Sequence, residues 1–131
     1  MTIDTSAALA IQLDEPERAV FEKAIADAPT RRISSVSVYE ASIVLSVRRG
    51  EPAVAELDLW IEAADIEIVP FTAEHARIAR RAYAAFGKGR HPAGLNFGDC
   101  ASYALAAASD EPLLFKGSDF SQTDVRACSL A

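Results

Sequence analysis

Four acidic residues stand out in this sequence because ordinary surface placement does not fully explain them: Asp4, Glu40, Asp99 and Asp119. Hard divalent cations prefer oxygen ligands, and magnesium usually keeps several waters beside one or two carboxylates. Such an ion activates water and neutralises a phosphate under in-line attack. If the fold gathers these four carboxylates, the sequence predicts metal-dependent chemistry on a phosphodiester.

Glu40 is the most informative of the four. At helical spacing its neighbours are apolar, so the carboxylate interrupts an apolar stripe made of Val36, Ile43, Val44 and Val47. A buried charge must be paired, neutralised or bound to a metal. The alternative is a capping box in which Ser37 begins the helix and Glu40 stands three residues later.

The three aspartates each have a local alternative. Asp4 lies in or just after a short strand, where aspartate is uncommon, but it could simply bond the turn at Thr5 and Ser6. Asp99 follows Asn96 by three residues and could only favour a helix N-terminus. Asp119 follows an apolar strand and could be an ordinary turn residue. The prediction of a functional site therefore depends on the four acidic residues taken together and not on any one of them.

The elements that must position these residues alternate between strands and helices. Strands are expected at residues 2–5, 31–36, 66–70 and 112–115, with a possible fifth at 125–128. Helices are expected at about 14–28, 37–49, 51–64, 72–86 and 96–109. This alternation predicts an α/β fold whose mainly parallel, roughly five-stranded sheet is covered on both faces. Ligands of such sheets bind at the carboxyl ends of the strands, where Asp4 and Asp119 would lie.

Composition sets limits on the class of protein. The 131 residues predict a single domain (1–131), with no stretch long and apolar enough for a membrane span and no secretory signal. Cys100 and Cys128 lack metal-ligand spacing and are expected to be reduced thiols of a cytoplasmic protein. A net charge of −6 argues against passive nucleic-acid binding, which usually needs a basic surface. It still allows a nuclease whose cations are bound metals, or a basic protein partner.

Four segments resemble the PIN-domain ribonucleases, and more closely the VapC-type toxins of type II toxin–antitoxin systems. They are Ile3–Ala7, Tyr39–Ala41, Asn96–Cys100 and Leu113–Phe120. The resemblance covers essentially the whole chain in the right order. It implies a PIN-like three-layer α/β/α sandwich.

The resemblance also implies roles for individual residues. Asp4 and Asp99 would be the principal ligands of Mg²⁺ or Mn²⁺, and Glu40 would complete the acidic cluster. The family often has another aspartate where this chain has Gly117, so Asp119 is the expected substitute. The hydroxyls of Thr5, Ser6 and Ser118 could orient ligands or water, although turn formation is an alternative role for them.

The implied activity is endonucleolytic cleavage of RNA by a metal-activated water, leaving a 5′-phosphate and a 3′-hydroxyl. The implied partners are a second copy of the chain and a cognate antitoxin that inserts an arginine among the carboxylates. Lys88, Arg90 and His91, in the loop at 87–94, could contact RNA phosphates or could form only a solvated connection.

Two other functions remain open. A receiver-like signalling domain also gathers acidic residues on such a sheet, but it needs an aspartate after the third strand, and residues 66–71 offer none. A catalytically inactive PIN module that only binds RNA or a protein is the stronger alternative, because the acidic pattern is interrupted at Gly117.

Overall fold

The computed structural model describes residues 1–130. Its four strands are β1 (Thr2–Ile3), β2 (Arg32–Ser34), β3 (Glu67–Val69) and β4 (Leu113–Leu114). Its six α-helices are α1 (Thr5–Gln12), α2 (Arg18–Asp27), α3 (Ser35–Arg49), α4 (Glu51–Ala63), α5 (Ala73–Phe86) and α6 (Phe97–Ser109). A single 3₁₀ turn follows at Phe120–Gln122.

The strands form one parallel sheet in the order β3-β2-β1-β4. The expected parallel α/β sheet is confirmed, but with four strands where roughly five were predicted. The segment predicted as the fifth strand makes only one bridge, between Ala127 and Leu113, held by hydrogen bonds on either side of Leu113. Two such bonds are too few to extend a ladder.

The alternation of side chains along the strands separates two cores. Ile3, Ile33 and Leu114, which pair across the sheet, face an apolar cluster shared with α1 to α4. Leu113 faces the opposite cluster, which contains residues of α5 and α6. Helices therefore cover both faces of the sheet, and the three-layer α/β/α arrangement is confirmed.

Local boundaries differ from the sequence-based expectations at two places near the acidic residues. The first strand is only two residues long, because Asp4 caps a helix that sequence analysis missed, α1. The third helix begins at Ser35 with Ser34 as its N-cap, so Ser37 lies inside the helix and the predicted Ser37–Glu40 capping box does not form. The Ser34 hydroxyl therefore caps the helix in place of the expected Ser37 hydroxyl.

Very short strands bring helix starts directly to the carboxyl edge of the sheet. Only Asp4 separates β1 from α1, and α3 begins at the residue that follows β2. As a result the first turns of these two helices, and the loop after β4, meet at one edge. Among the described residues, no helix combines the length and apolar character needed to cross a membrane.

Candidate active site

Asp4 is buried at the carboxyl end of β1, with 2% of its surface exposed. Its Oδ2 accepts hydrogen bonds from the backbone nitrogen (3.0 Å) and the hydroxyl (2.6 Å) of Ser6. Its Oδ1 is buried without a hydrogen-bond partner among the described residues. Burial raises the pKa of Asp4, against the lowering effect of the Ser102 and Ser6 hydroxyls. The residue therefore has the local turn bond predicted as the alternative, and also a free buried oxygen.

Asp99 stands in the first turn of α6 and forms a capping box with Asn96. The Asp99 amide donates to Asn96 Oδ1 (2.9 Å), and the Asn96 amide donates to Asp99 Oδ2 (3.0 Å). Partial burial is the main cause that raises the pKa of Asp99 from 3.8 to about 6, and the negative charges of Asp4, Asp119 and Glu40 contribute to the same shift. The structural role does not exclude the functional one, because the carboxylate that caps the helix also faces three other acids.

Glu40 reaches the same place from α3. Its carboxylate lies directly against Gly98, so closely that a Cβ on Gly98 would overlap both of its oxygens. The expected apolar stripe around Glu40 is wrong in part, because Ile43 and Val47 are exposed. Glu40 is half-buried at the margin of the core, and the absence of a side chain at Gly98 gives its carboxylate access to the start of α6.

Asp119 is exposed and stands just before the 3₁₀ turn that follows β4. Its charge acts on Asp99, so it belongs to the cluster despite its exposure. Gly117 has a φ of +100°, a conformation that side-chain-bearing residues rarely adopt. The backbone therefore disfavours an aspartate at position 117 and supplies a carboxylate two residues later.

The four acids come from four different segments and meet at one edge of the sheet. However, no group of three or more histidine, cysteine, aspartate or glutamate side chains among residues 1–130 is already arranged to hold a metal ion. A magnesium site needs only one or two carboxylates because water completes its coordination. The donor set, all oxygen, and the unpartnered Asp4 Oδ1 both fit a hard divalent cation.

Sequence analysis missed a pair of buried hydroxyls next to this cluster. Ser37 of α3 and Ser102 of α6 are fully buried and share a hydrogen bond of 3.1 Å. The Ser102 hydroxyl also lowers the pKa of Asp4, although it makes no full hydrogen bond to Oδ1. The signal was available as serines three residues from Glu40 and Asp99 on core-facing positions.

The predicted supporting hydroxyls differ in their placement. Ser6 links two parts of the site, because it donates to Asp4 and accepts from the Lys116 amide (2.9 Å) in the loop after β4. Thr5 is buried with its hydroxyl unpartnered among the described residues. Ser118 is exposed, and its carbonyl oxygen accepts from the Ser121 hydroxyl.

The cations predicted to contact RNA lie in the loop between α5 and α6. Lys88 and Arg90 are exposed, and the Arg90 guanidinium stands over the Tyr83 ring at 5.6 Å. His91 is half-buried, and its Nδ1 accepts from the Ala93 amide (3.0 Å). The local bond gives His91 a turn-forming role, whereas Lys88 and Arg90 remain accessible.

Comparison with known proteins identifies the family. The PIN domain family matches residues 1–126. A ribonuclease VapC of Mycolicibacterium smegmatis is 54% identical over 97% of this chain and 98% of its own length. Ribonuclease VapC30 of Mycobacterium tuberculosis is 48% identical over 99% of both chains. The chain belongs to the VapC group of the PIN-domain family. The predicted family is thereby confirmed.

Solved structures agree with this VapC fold at low sequence identity. VapC20 of Mycobacterium tuberculosis, a toxin that cleaves the sarcin–ricin loop, superposes with a TM-score of 0.76 at 17% identity, over 95% of both chains. VapBC2 of Rickettsia felis, bound to a DNA fragment of its promoter, gives 0.76 at 16% identity, over 96% of this chain and 94% of that one. These two likenesses support the three-layer PIN architecture.

Proposed function

We propose that this VapC-family chain is a Mg²⁺- or Mn²⁺-dependent endoribonuclease and the toxin of a toxin–antitoxin pair. The observation that carries the proposal is the environment of Asp99, whose pKa is raised to about 6 by burial and by Asp4, Asp119 and Glu40. Carboxylates left unneutralised at the ligand-binding edge of a parallel sheet are suited to a divalent cation. The names of the VapC relatives support RNA as the substrate.

Asp4 and Asp99 are the proposed metal ligands. When bound, the divalent cation supplies positive charge against the phosphate and makes water more acidic. Asp4 offers its unpartnered Oδ1, and Ser6 holds the other oxygen in place. Glu40 and Asp119 add further negative charge, and the Glu40 carboxylate packs against Gly98.

The proposed reaction is hydrolysis of the RNA backbone. Water attacks phosphorus and the bond from phosphorus to the 3′ oxygen breaks, so the 3′ oxygen leaves with a proton. The products are a 5′-phosphate and a 3′-hydroxyl.

The proposed partners are an antitoxin and a second copy of the chain. The VapBC2 structure is named for both members of such a pair, which supports an antitoxin here. The net charge of −6 favours a partner that is more basic, with an arginine suited to the acidic cluster. We also propose a cytoplasmic location, where RNA is available and Cys100 and Cys128, both unbridged, stay reduced.

A catalytically inactive module that binds RNA or protein is the second candidate. The exposed position of Asp119 and the absence, among residues 1–130, of three acids already arranged around a metal favour it. The two candidates differ in whether RNA is cut.

The deciding experiment incubates structured RNA with the wild-type chain in magnesium, the wild-type chain in EDTA, and Asp4→Asn in magnesium. We expect cleavage only in the first, with 5′-phosphate ends. Equal cleavage in all three would exclude the metal mechanism. No cleavage across a panel of transfer, ribosomal and messenger RNAs would favour the inactive module. Asp58→Asn, an exposed carboxylate of α4, is the matched control and should cut like the wild type.

A further inference from the structure

An apolar groove lies between α5 and the start of α6, beside the acidic cluster. Its volume of about 650 Å³ is within the range of small-ligand clefts, roughly 300–1,000 Å³. Asn96, which forms the capping box with Asp99, lines one end of it. The groove therefore begins where the candidate active site ends.

Two aromatic rings lie along this groove and remain open to solvent. Phe97 is 80% exposed, and Tyr83 on α5 is 40% exposed. Phe97 makes little contribution to the core, since most of its surface contacts water. Large exposed apolar side chains beside a catalytic cleft often mark a binding site.

The charges around the groove favour an anionic ligand. Arg80 and Lys88 line it, and Arg90 is stacked on Tyr83. None of the described residues that line the groove is acidic. Residues 73–91 contain five arginines and lysines and one glutamate, in a chain whose net charge is −6. The basic residues are thus concentrated next to the acids that would cut a phosphodiester.

We propose that this groove is a nucleobase-binding subsite, in which Phe97 stacks on an unpaired base of the RNA strand while Arg80 and Lys88 contact neighbouring phosphates. Aromatic rings that stack bases and cations that follow the backbone are the usual elements of single-strand recognition. The proposal rests on RNA being the substrate.

The test is fluorescence-anisotropy binding of a short mixed-sequence single-stranded RNA in EDTA, which prevents cleavage by the proposed mechanism. A second probe has the same sugar–phosphate backbone without bases. We expect Phe97→Ala and Phe97→Leu to bind the normal strand about tenfold more weakly than the wild type, and Phe97→Tyr to bind it normally. All four proteins should bind the abasic strand equally. Leu59→Ala, at a 65% exposed position on α4, is the matched control.

Removing either cation should change RNA binding in a different way from removing the Phe97 ring. Arg80→Ala and Lys88→Ala should weaken binding of both strands and reduce its dependence on salt, because each removes a phosphate contact. All these side chains are exposed, so the variants are expected to fold.

Three results would contradict the proposal of a nucleobase-binding subsite. Normal binding by Phe97→Leu would mean that apolar contact, not stacking, accounts for the effect. Unchanged RNA binding by Phe97→Ala, with an altered sedimentation coefficient, would assign the groove to a protein contact. Absence of RNA binding by the wild type both in EDTA and in magnesium would also exclude it. Cleavage of longer RNA by the wild type is scored separately, so the subsite can fail while the nuclease stands, and the reverse.

Discussion

Replacing Asp99 by asparagine should abolish RNA cleavage and yet stabilise the metal-free protein. Burial and three neighbouring carboxylates raise the pKa of Asp99 from 3.8 to about 6, so ionising it costs more in the folded state than in the unfolded state. A shift of about two pKa units corresponds to roughly 3 kcal/mol. Because the side chain is only half-buried, solvent screening reduces this, and we expect a gain of about 1–2 kcal/mol for Asp99→Asn at pH 7.5.

The sign of the pH dependence distinguishes this cause from a packing effect. The folded wild-type protein holds the Asp99 proton more tightly than the unfolded chain, so its stability falls as pH rises from about 4 to about 6. The advantage of Asp99→Asn should therefore be present at pH 7.5 and vanish near pH 4.

Urea unfolding in EDTA measures the difference, with Asp58→Asn as an exposed control. Saturating magnesium should stabilise the wild type more than the variant, since it binds only the intact site. The electrostatic explanation would be refuted if Asp99→Asn were less stable than the wild type at pH 7.5. It would also be refuted if the variant were more stable than the wild type by the same amount at pH 7.5 and pH 4.

Three further substitutions test residues near and away from the acidic cluster. Ser102→Ala should lower kcat/KM about tenfold with little change in fold, because it removes the buried hydroxyl that acts on Asp4. Ser42→Ala, which removes a hydroxyl that bonds the Val38 carbonyl within α3, should have no effect, and equal kinetics for both variants would contradict a positioning role for Ser102. Glu111→Ala should destabilise the protein by about 1–3 kcal/mol in thermal unfolding, because it breaks a buried ion pair with Arg32, and unchanged stability would contradict this. The folded fraction should keep its activity, because this ion pair lies away from the acidic cluster. Gly117→Asp should lower the free energy of unfolding in urea by about 1–2 kcal/mol, because φ is +100° at this position, and it should not speed cleavage. A variant that is as stable as the wild type and cleaves faster would contradict this, because it would show that position 117 accepts the aspartate often found there in the family.

The pH dependence of the Glu111 contribution runs opposite to that of Asp99. Burial alone would raise the pKa of Glu111, but hydrogen bonds from the Met1 amino group, Arg32 and Thr30 outweigh it and lower the pKa below 4.5. Its contribution is present above pH 4.5 and is lost as pH falls through the lower folded-state pKa.

The sequence predicted the sheet and the identity of the clustered acids better than it predicted local boundaries. Strand–helix alternation placed Asp4 and Asp119 at the carboxyl edge, where the structure has them. The start of α3 was misjudged because Ser34, Ser35 and Ser37 are all competent caps, and only the end of β2 selects Ser34. The helix α1 was missed because it is eight residues long and mostly apolar, without a polar face.

Contacts between distant segments could not be read from spacing. The contact of Glu40 with Gly98 and the Ser37–Ser102 hydrogen bond both depend on how α3 packs against α6. The exposure of Phe97 was also hidden, since a phenylalanine at a helix start normally predicts core packing. These features come from tertiary packing, which periodicity does not encode.

Titration calorimetry of Mn²⁺ into the metal-free chain tests whether the acidic cluster binds a divalent cation. We expect saturable binding by the wild type, loss of that binding in Asp4→Asn, and unchanged binding in Asp58→Asn. Equal binding by the wild type and Asp4→Asn, or no binding by the wild type, would contradict the proposed metal site.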